Sequence, residues 1–329
     1  MHNIATIKGL YNFRSKKFFL LSSVLLFTLA LGILTRLLFS ESRLFLRPNS
    51  NETAPTNNPK SSKIALASGK SDLSSNNQSS NSDLIQYVYH QSEDADFNLR
   101  FFLKHALHKK ADFVFVINGH SSLVEEIPQR PNIKVVIREN KCFDIGAHGD
   151  ILPKLERNYS RIILMNASVR GPFLPRWANA CWSDILFGKL NDQVKIVGTT
   201  ANCDISPHLQ SMLLAFDHVS IQLVLPLLKN CFTDMRDAID NGEVKLTSAV
   251  LNAGYKADYL MSKPWDWEHC LNPDTATSDL LLTDRYDGMT VHPFEVIFFK
   301  SKRFKDYPVL LKHTEWMAQE RYSSYDHCF

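Results

Sequence analysis

The fold is decided by two stretches of sequence, Arg138-Glu-Asn-Lys-Cys-Phe-Asp-Ile-Gly-Ala-His-Gly-Asp150 and Arg161-Ile-Ile-Leu-Met-Asn-Ala-Ser168. The first predicts a strand end, a polar turn that carries Asp144, and the start of a helix. The second predicts a buried strand that ends in small polar residues. Helix N-termini and free backbone N–H groups converge at such strand ends in open α/β sheets. The two stretches therefore predict a crevice for a phosphorylated ligand.

The rest of the chain from residue 84 onward alternates between strand and helix patterns. Helix starts are expected at Asp96 or Asn98, and a further helix at 147–156. The second half predicts helices at 208–216, 222–229 and 243–253 and a late strand at 255–260. Strands are predicted at 84–90, 112–117, 133–137, 161–165 and 194–197. This alternation predicts an α/β class with a mostly parallel sheet flanked by helices.

Composition places the chain among globular proteins. Its 329 residues are 44% hydrophobic and 22% charged, with a net charge of only +3. Basic residues do not alternate with aromatic residues along a stripe, so the sequence predicts no nucleic-acid partner.

The N-terminus predicts a membrane anchor. Residues 18–39 are predominantly apolar and carry no charge apart from Arg36, which matches the roughly 20 residues that span a bilayer. Four basic residues within 1–17 precede the run and predict that this tail is cytosolic. A cleaved signal peptide is the alternative, but its apolar part is usually about 7–15 residues and ends in a small-residue cleavage site. We therefore expect a signal-anchor whose span contacts the lipid bilayer.

Residues 40–83 predict a flexible lumenal stem, because they are rich in Ser, Asn and Pro and poor in aromatics. Asn51-Glu-Thr and Asn77-Gln-Ser are glycosylation sequons suited to such a stem. Residues 84–329 then form the folded domain. This order is typical of a type II protein of the Golgi or another secretory-pathway membrane. Six cysteines lie in the domain. An oxidising lumen permits them to form disulfides, and the equal alternative is that several are buried free thiols.

Candidate ligand-binding residues follow the predicted strands. Asp144, just before Gly146, can accept hydrogen bonds from a ribose, or it can cap a helix. Asn166 and Ser168 end a strand at the place where many nucleotide-sugar transferases hold a divalent metal ion with Asp-x-Asp. No acid stands there, so we predict no metal site. Asn166-Ala-Ser is also a formal sequon, but we expect Asn158-Tyr-Ser, in a turn, to be the acceptor within the domain.

A second group of candidates lies further along the chain. His208, Gln210 and Ser211 could contact phosphate or acceptor hydroxyls from the start of the predicted helix, or they could form a plain N-cap region. Glu243 precedes an amphipathic helix, where a carboxylate usually complements the helix dipole. Placed across the crevice, the same carboxylate could deprotonate an acceptor hydroxyl.

The ordered set of motifs resembles one known family. Its residues are Asn140-Lys-Cys-Phe-Asp144-Ile-Gly146, Leu164-Met-Asn166-Ala-Ser168-Val-Arg-Gly171-Pro172 and His208-Leu-Gln-Ser211, continued by Gly242-Glu243 and Gly254-Tyr255. This set resembles the rhamnan-synthesis F family of glycosyltransferases. The resemblance implies a GT-A-like fold, a nucleotide-sugar donor as co-substrate and a glycan as acceptor.

Two residues depart from the family pattern. The family usually has Gly in place of Cys142, and an acid in place of Ala167. In the absence of that acid, Arg138, Lys141 or Arg170 could neutralise the diphosphate of the donor. The leading hypothesis is a metal-free transferase with Glu243 as base and Asp144 and Asn166 as donor ligands. The alternative is an inactive paralogue that binds glycans or acts as a scaffold.

Overall fold

The computed structural model describes residues 82–264, 279–319 and 323–328. All of them belong to one compact unit, Ser75–Phe329. The predicted cytosolic tail, anchor and nearly all of the stem lie outside the described residues. Within those residues, no helix combines the length and the apolar content that crossing a bilayer requires.

The strands match the predicted apolar runs closely. The first begins one residue before the predicted domain, at Asp83, whose side chain is buried and paired with Arg161. The strands are β1 (Asp83–Tyr89), β2 (Asp112–Asn118), β3 (Ile133–Arg138), β4 (Arg161–Asn166), β5 (Val169–Arg170), β6 (Val194–Gly198), β7 (Ala201–Asn202), β8 (His208–Leu209), β9 (Leu213–Asp217), β10 (Lys256–Tyr259) and β11 (Phe299–Lys300).

Seven of these strands form one sheet in the order β10-β6-β9-β4-β1-β2-β3. Strands β1, β2, β3 and β4 pair in parallel, as do β6 and β10. Strand β9 runs antiparallel to both of its neighbours, β4 and β6. The predicted α/β class and its mostly parallel sheet are confirmed, and β9 is the exception within it.

Helices cover the sheet and connect its strands. The helices are α1 (Glu93–His105), α2 (Phe143–Ile151), α3 (Trp182–Phe187), α4 (His218–Leu228), α5 (Met235–Asp237), α6 (Val244–Asn252), α7 (Pro293–Val296) and α8 (Pro308–Gln319). A π-helical turn, Ala238–Glu243, leads directly into α6.

Three predicted helix starts were wrong. Helix α1 starts earlier than Asp96, because Ser92 caps it by accepting a hydrogen bond from the backbone N–H of Ala95. Helix α2 starts at Phe143 rather than Ala147, so Asp144 and Gly146 lie within its first turn and not in a turn that precedes it. Helix α4 starts at His218 rather than Gln222, because Asp217 caps it by accepting hydrogen bonds from the backbone N–H groups of Val219 and Ser220.

The predicted helix at 208–216 was also wrong, since the segment forms β8 and β9. Leu213–Asp217 has good helix-forming residues, but it is buried over its whole length between β4 and β6. Pairing on both sides supplies its backbone hydrogen bonds, so tertiary contacts override local propensity.

Aromatic side chains form much of the core between the sheet and α1. Tyr87 and Phe102 lie with ring centroids 4.7 Å apart, and Trp182 packs edge-on against Phe102. The indole N–H of Trp182 donates to the carbonyl oxygen of Ala106 at 2.8 Å, so the one polar group of this buried side chain is paired.

Disulfides close long loops in the same unit. Cys142 pairs with Cys231 and Cys181 pairs with Cys328. The described residues contain no free cysteine, so the alternative of buried thiols was wrong.

Candidate functional site

Polar side chains gather where the parallel strands of the sheet end. Strands β1 to β4 end at Tyr89, Asn118, Arg138 and Asn166, and parallel strands present these ends at one edge. The segment that enters the antiparallel β9 lies at the same edge, because Met165 pairs with Leu213. We call this side of the sheet the carboxyl edge.

Asp144 and Asn166 are in direct contact at the carboxyl edge. The Nδ2 atom of Asn166 donates to Oδ2 of Asp144 at 2.5 Å. The Oδ1 atom of Asn166 accepts from the backbone N–H of Ser168 at 3.0 Å and from its hydroxyl at 2.6 Å. Because a backbone N–H can only donate, this contact fixes which end of the amide faces Asp144.

The position of Asp144 follows from the start of α2. Cys142 and Phe143 both have positive φ, 65° and 51°, and no side chain caps the helix. A carboxylate in the first turn is favoured by the partial positive charge of the helix N-terminus. Asp144 therefore lies half-buried beside free backbone N–H groups that also suit an anionic ligand.

Gly146 and Gly149 have a packing role in α2. A Cβ at Gly146 would lie 2.4 Å from Cβ of Cys142 and 3.0 Å from the carbonyl oxygen of Asn230. A Cβ at Gly149 would lie 2.1 Å from the carbonyl oxygen of Leu228. The two glycines thus let α2 approach the end of α4, and Gly146 is buried rather than open to a ligand.

His148 lies beneath Asp144, one turn further along α2. Its Nδ1 atom is 3.2 Å from Oε1 of Gln86 on β1, and its Nε2 atom has no partner. Burial lowers the pKa of His148 to about 4, and the nearby carboxylate of Asp144 opposes this shift only partly. The imidazole is therefore neutral at physiological pH and leaves Asp144 without a cation below it.

Glu243 joins the same edge from the end of the π-helical turn. Its Oε1 atom accepts a hydrogen bond from the backbone N–H of Ser211 at 3.1 Å. The next residue, Met212, accepts with its carbonyl oxygen from the backbone N–H of Asn166 at 3.2 Å. Glu243 and Asn166 are therefore anchored to neighbouring residues of one backbone segment, which brings the two halves of the predicted site together.

His208 and Gln210 support the site from inside the protein. His208 is 2% exposed, with Nε2 lying 3.8 Å from Oε1 of Glu243. Gln210 is 3% exposed and accepts from the hydroxyl of Thr200 at 2.7 Å. This burial leaves neither side chain a surface for an acceptor or phosphate, so of the three predicted contacts only Ser211 is partly exposed.

Gln210 leads to two residues that the sequence analysis missed. Its Nε2 atom donates to Oδ1 of Asp279 at 3.2 Å, and the other oxygen of Asp279 pairs with Arg303. Asp279 is buried, whereas the side chain of Arg303 is 41% exposed. No local pattern marks these residues, because Gln210 and Asp279 are 69 positions apart in the sequence.

The three predicted cations differ in their surroundings. The Arg138 side chain is 8% exposed and donates to Asp150, to Asn118 and to the carbonyl oxygen of Lys141. Lys141 is exposed and pairs with Glu139.

Arg170 was wrongly predicted to face a diphosphate. It is 9% exposed, donates to Asn98 and Thr314, and lies over the ring of Phe97. Burial lowers the pKa of Arg170 to about 10, so it remains charged but is held inside the protein.

The donor atoms at the carboxyl edge do not fit a resident divalent metal ion. One oxygen of Asp144 is bound by the amide of Asn166, and Asn166 and Ser168 bind each other. Within the described residues, the one group of three potential ligands is His108, Cys181 and Cys328, whose two cysteines form a disulfide. A hard cation would need additional oxygen ligands at the carboxyl edge.

Solved structures match the chain only at low sequence identity and low TM-score. A mannosyltransferase from Pyrobaculum calidifontis in complex with GDP-Man and Mn2+ has 13% identity and a TM-score of 0.37, covering 72% of this chain and 70% of that one. Mouse xyloside xylosyltransferase 1 has 9% identity and a TM-score of 0.38, covering 66% and 97%. Residue roles cannot be transferred at these scores. No curated protein matches the chain.

The family comparison covers more than half of the chain. The sequence model of rhamnan synthesis protein F matches residues 113–309. This range includes β2 apart from its first residue, all of β3 to β11, and every candidate residue of the carboxyl edge. The chain therefore belongs to the rhamnan synthesis protein F family, a glycosyltransferase-type family.

Proposed function

We propose that the chain transfers a sugar from a nucleotide-sugar donor to a glycan acceptor. The observation that carries the proposal is the convergence of Asp144, Asn166 and Glu243 on one edge of the sheet. Two polar donor ligands and a partly exposed carboxylate meet there, next to a helix N-terminus. A nucleotide sugar needs such a place, because its diphosphate prefers backbone N–H groups and its ribose prefers a carboxylate.

Each of these residues has a distinct role in the proposed reaction. Asp144 and Asn166 position the donor, with the Asn166 amide fixed by Ser168. The Glu243 carboxylate takes the proton of the attacking acceptor hydroxyl, while Ser211 and His208 hold it in orientation. Positioning and stabilisation of the departing diphosphate supply most of the rate.

The cellular setting is part of the proposal. Residues 18–39 anchor the chain in a membrane of the secretory pathway, with the C-terminal domain in the lumen. The apolar run supports the anchor, and the disulfides of the folded unit support an oxidising compartment. The acceptor is then a glycan that is being built in that lumen.

An inactive, glycan-binding or scaffolding protein is the second candidate. Its support is Ala167, which is 5% exposed and donates its backbone N–H to the carbonyl oxygen of Val88. The position lies between the two polar residues of the strand tip but carries no functional group. Such a protein would keep the fold and the family pattern without turnover.

The experiment that tests the proposal is a screen of UDP-, GDP- and dTDP-linked sugars against the purified full-length chain. A bound donor raises the apparent stability by mass action, by about 2.7 kcal/mol at 100 times its Kd. We expect one nucleotide class to raise the melting temperature and to be slowly hydrolysed. Protection without hydrolysis, with any acceptor glycan tried, would favour the inactive candidate. No protection by any donor would overturn the proposed transfer.

A further inference from the structure

Arg303 is a half-exposed cation beside the carboxyl edge. It ends the short 3-10 turn Ser301–Arg303, which directly follows β11. Strand β11 pairs with β5, and β5 begins immediately after Ser168. The backbone N–H of Ser301 donates to the carbonyl oxygen of Ser168 at 3.2 Å. Arg303 is therefore two residues from a direct contact with the strand tip that holds Asn166.

A second chain of contacts fixes the guanidinium from the other side. Arg303 pairs with Oδ2 of Asp279, and Oδ1 of Asp279 accepts from Gln210 and from the backbone N–H of Leu281. Gln210 precedes Ser211, which donates to Glu243. The side chain of Arg303 is thus linked through Asp279 and Gln210 to the Glu243 segment, and its backbone is linked through Ser301 to the Asn166 strand tip.

The guanidinium keeps donors that the ion pair does not use. Arginine has five N–H donors in a planar fork, and one carboxylate oxygen occupies only part of them. With 41% of its side chain exposed, Arg303 can present the remaining donors to a ligand. This distinguishes it from Arg138 and Arg170, whose guanidinium groups are enclosed by protein acceptors.

We propose that Arg303 binds the diphosphate of the donor and neutralises it as it departs, in the place where a divalent ion would otherwise do so. The inference rests on the proposed function. In the transfer, the acceptor oxygen bonds to the anomeric carbon and its proton goes to Glu243. The bond from that carbon to the diphosphate oxygen breaks, and its electron pair stays on the diphosphate. Arg303 stabilises this added negative charge, and Asp279 acts as its positioning residue.

The chain offers a matched control on the opposite edge of the sheet. Arg157 pairs with Asp112 at the start of β2, and the two side chains are 49% and 15% exposed. The corresponding values for Arg303 and Asp279 are 41% and 10%. Arg303→Met and Arg157→Met therefore remove the same group from ion pairs of similar exposure, and only the first pair lies beside the site.

The experiment measures binding of UDP and GDP, and of their sugar conjugates, to the full-length chain by calorimetry in EDTA. We expect wild type and Arg157→Met to bind one nucleoside diphosphate equally well, and Arg303→Met to bind it roughly 10- to 100-fold more weakly. Arg303→Lys, which keeps the charge, should recover part of the loss. It also serves as the test variant if Arg303→Met does not fold.

The outcomes separate this inference from the proposed function. Equal affinity of Arg303→Met and wild type would overturn the role of Arg303 and leave the transferase intact. If EDTA abolishes wild-type binding and Mn2+ restores it, a metal ion holds the diphosphate. That result would also overturn the role of Arg303 and leave the transferase intact. Failure of wild type to bind any nucleotide, with or without metal, would overturn both.

Discussion

Asn166 donates a hydrogen bond from Nδ2 to Oδ2 of Asp144 at 2.5 Å, linking the end of β4 to the first turn of α2 across 22 positions of sequence. The pair joins a strand end to a helix N-terminus, the two features that hold nucleotide phosphates and riboses in open α/β sheets. It also leaves the second carboxylate oxygen of Asp144 available to a ligand hydroxyl.

The first prediction concerns that carboxylate. Asp144→Ala should weaken binding of the donor roughly tenfold or more, because a charge-assisted hydrogen bond contributes about 1.5–3 kcal/mol. Asp184→Asn is the control, since Asp184 lies on α3, away from Asn166, and pairs with Lys110. Titration calorimetry with the nucleotide found in the donor screen measures the effect. Equal weakening by both variants would show that Asp144 has no specific role.

The second prediction concerns Glu243. Glu243→Gln keeps an oxygen that can accept from the backbone N–H of Ser211, so the fold and donor affinity should persist. The variant cannot take a proton, and kcat should fall by about 10²- to 10⁴-fold. Steady-state transfer kinetics with the matched acceptor measure it. A kcat near that of wild type would remove Glu243 from the role of base.

The third prediction compares the disulfides Cys142–Cys231 and Cys181–Cys328. Removing either pair by double Cys→Ala substitution should cost roughly 5 kcal/mol of unfolding free energy, since the closed loops span 89 and 147 residues. Only Cys142–Cys231 joins the start of α2, which carries Asp144, to the segment after α4. Its loss should therefore also weaken donor binding under conditions where both variants are folded.

Chemical denaturation and calorimetry on the same samples distinguish the two effects. The Cys181–Cys328 variant should lose stability and keep the donor affinity of wild type. If both variants lose affinity equally at matched stability, the disulfide at Cys142 has no positioning role.

The fourth prediction concerns acid sensitivity. Burial lowers the pKa of His148 and of His108 to about 4 in the folded chain, against 6.5 in the unfolded chain. Below pH 6.5 the unfolded chain therefore binds protons that the folded chain does not. The free energy of unfolding should fall between pH 6.5 and pH 4, by up to about 3 kcal/mol for each histidine.

Urea denaturation at pH 7 and pH 5 measures this dependence. His148→Gln and His108→Gln should each reduce the difference between the two midpoints, because neither replacement titrates. His120→Gln, at an exposed position, should leave the difference unchanged. A wild-type midpoint that is independent of pH would contradict the buried neutral histidines.

The sequence predicted the parts of the fold that local pattern controls. Strands β1, β2 and β4 are almost entirely buried, whereas β3 is a partly exposed edge strand, and the predicted limits of all four agree with the structure to within one residue. The pairing of Asp144 with Asn166 follows from the same pattern, because parallel strands end at one edge.

The errors occurred where distant contacts decide the structure. Residues 213–217 have helix-forming residues but are paired on both sides in the sheet. Arg170 resembles a site cation in sequence, yet it is enclosed by Asn98 and Thr314, 72 and 144 positions away. Arg303 and Asp279 reach the site only through the fold, so no local motif could have identified them.

The fifth prediction concerns glycosylation of two sequons in the folded domain. Asn158-Tyr-Ser lies in an exposed turn before β4, and its asparagine is exposed. Asn166-Ala-Ser is at the strand tip, where both ends of the Asn166 amide are hydrogen-bonded. When the full-length chain is made in eukaryotic secretory cells, Asn158 should carry a glycan and Asn166 should not.

Peptide mass spectrometry after enzymatic deglycosylation in heavy-oxygen water reports each site separately, independent of the sequons at Asn51 and Asn77. Asn158→Gln should remove the label at that peptide, whereas Asn166→Gln should change no label. A glycan on Asn166 would contradict a donor site at the strand tip, because the attached sugar would fill the space beside Asp144. An unmodified Asn158, in a chain modified at Asn51 or Asn77, would show that its turn is inaccessible during synthesis. A chain unmodified at all four sequons would contradict a lumenal domain.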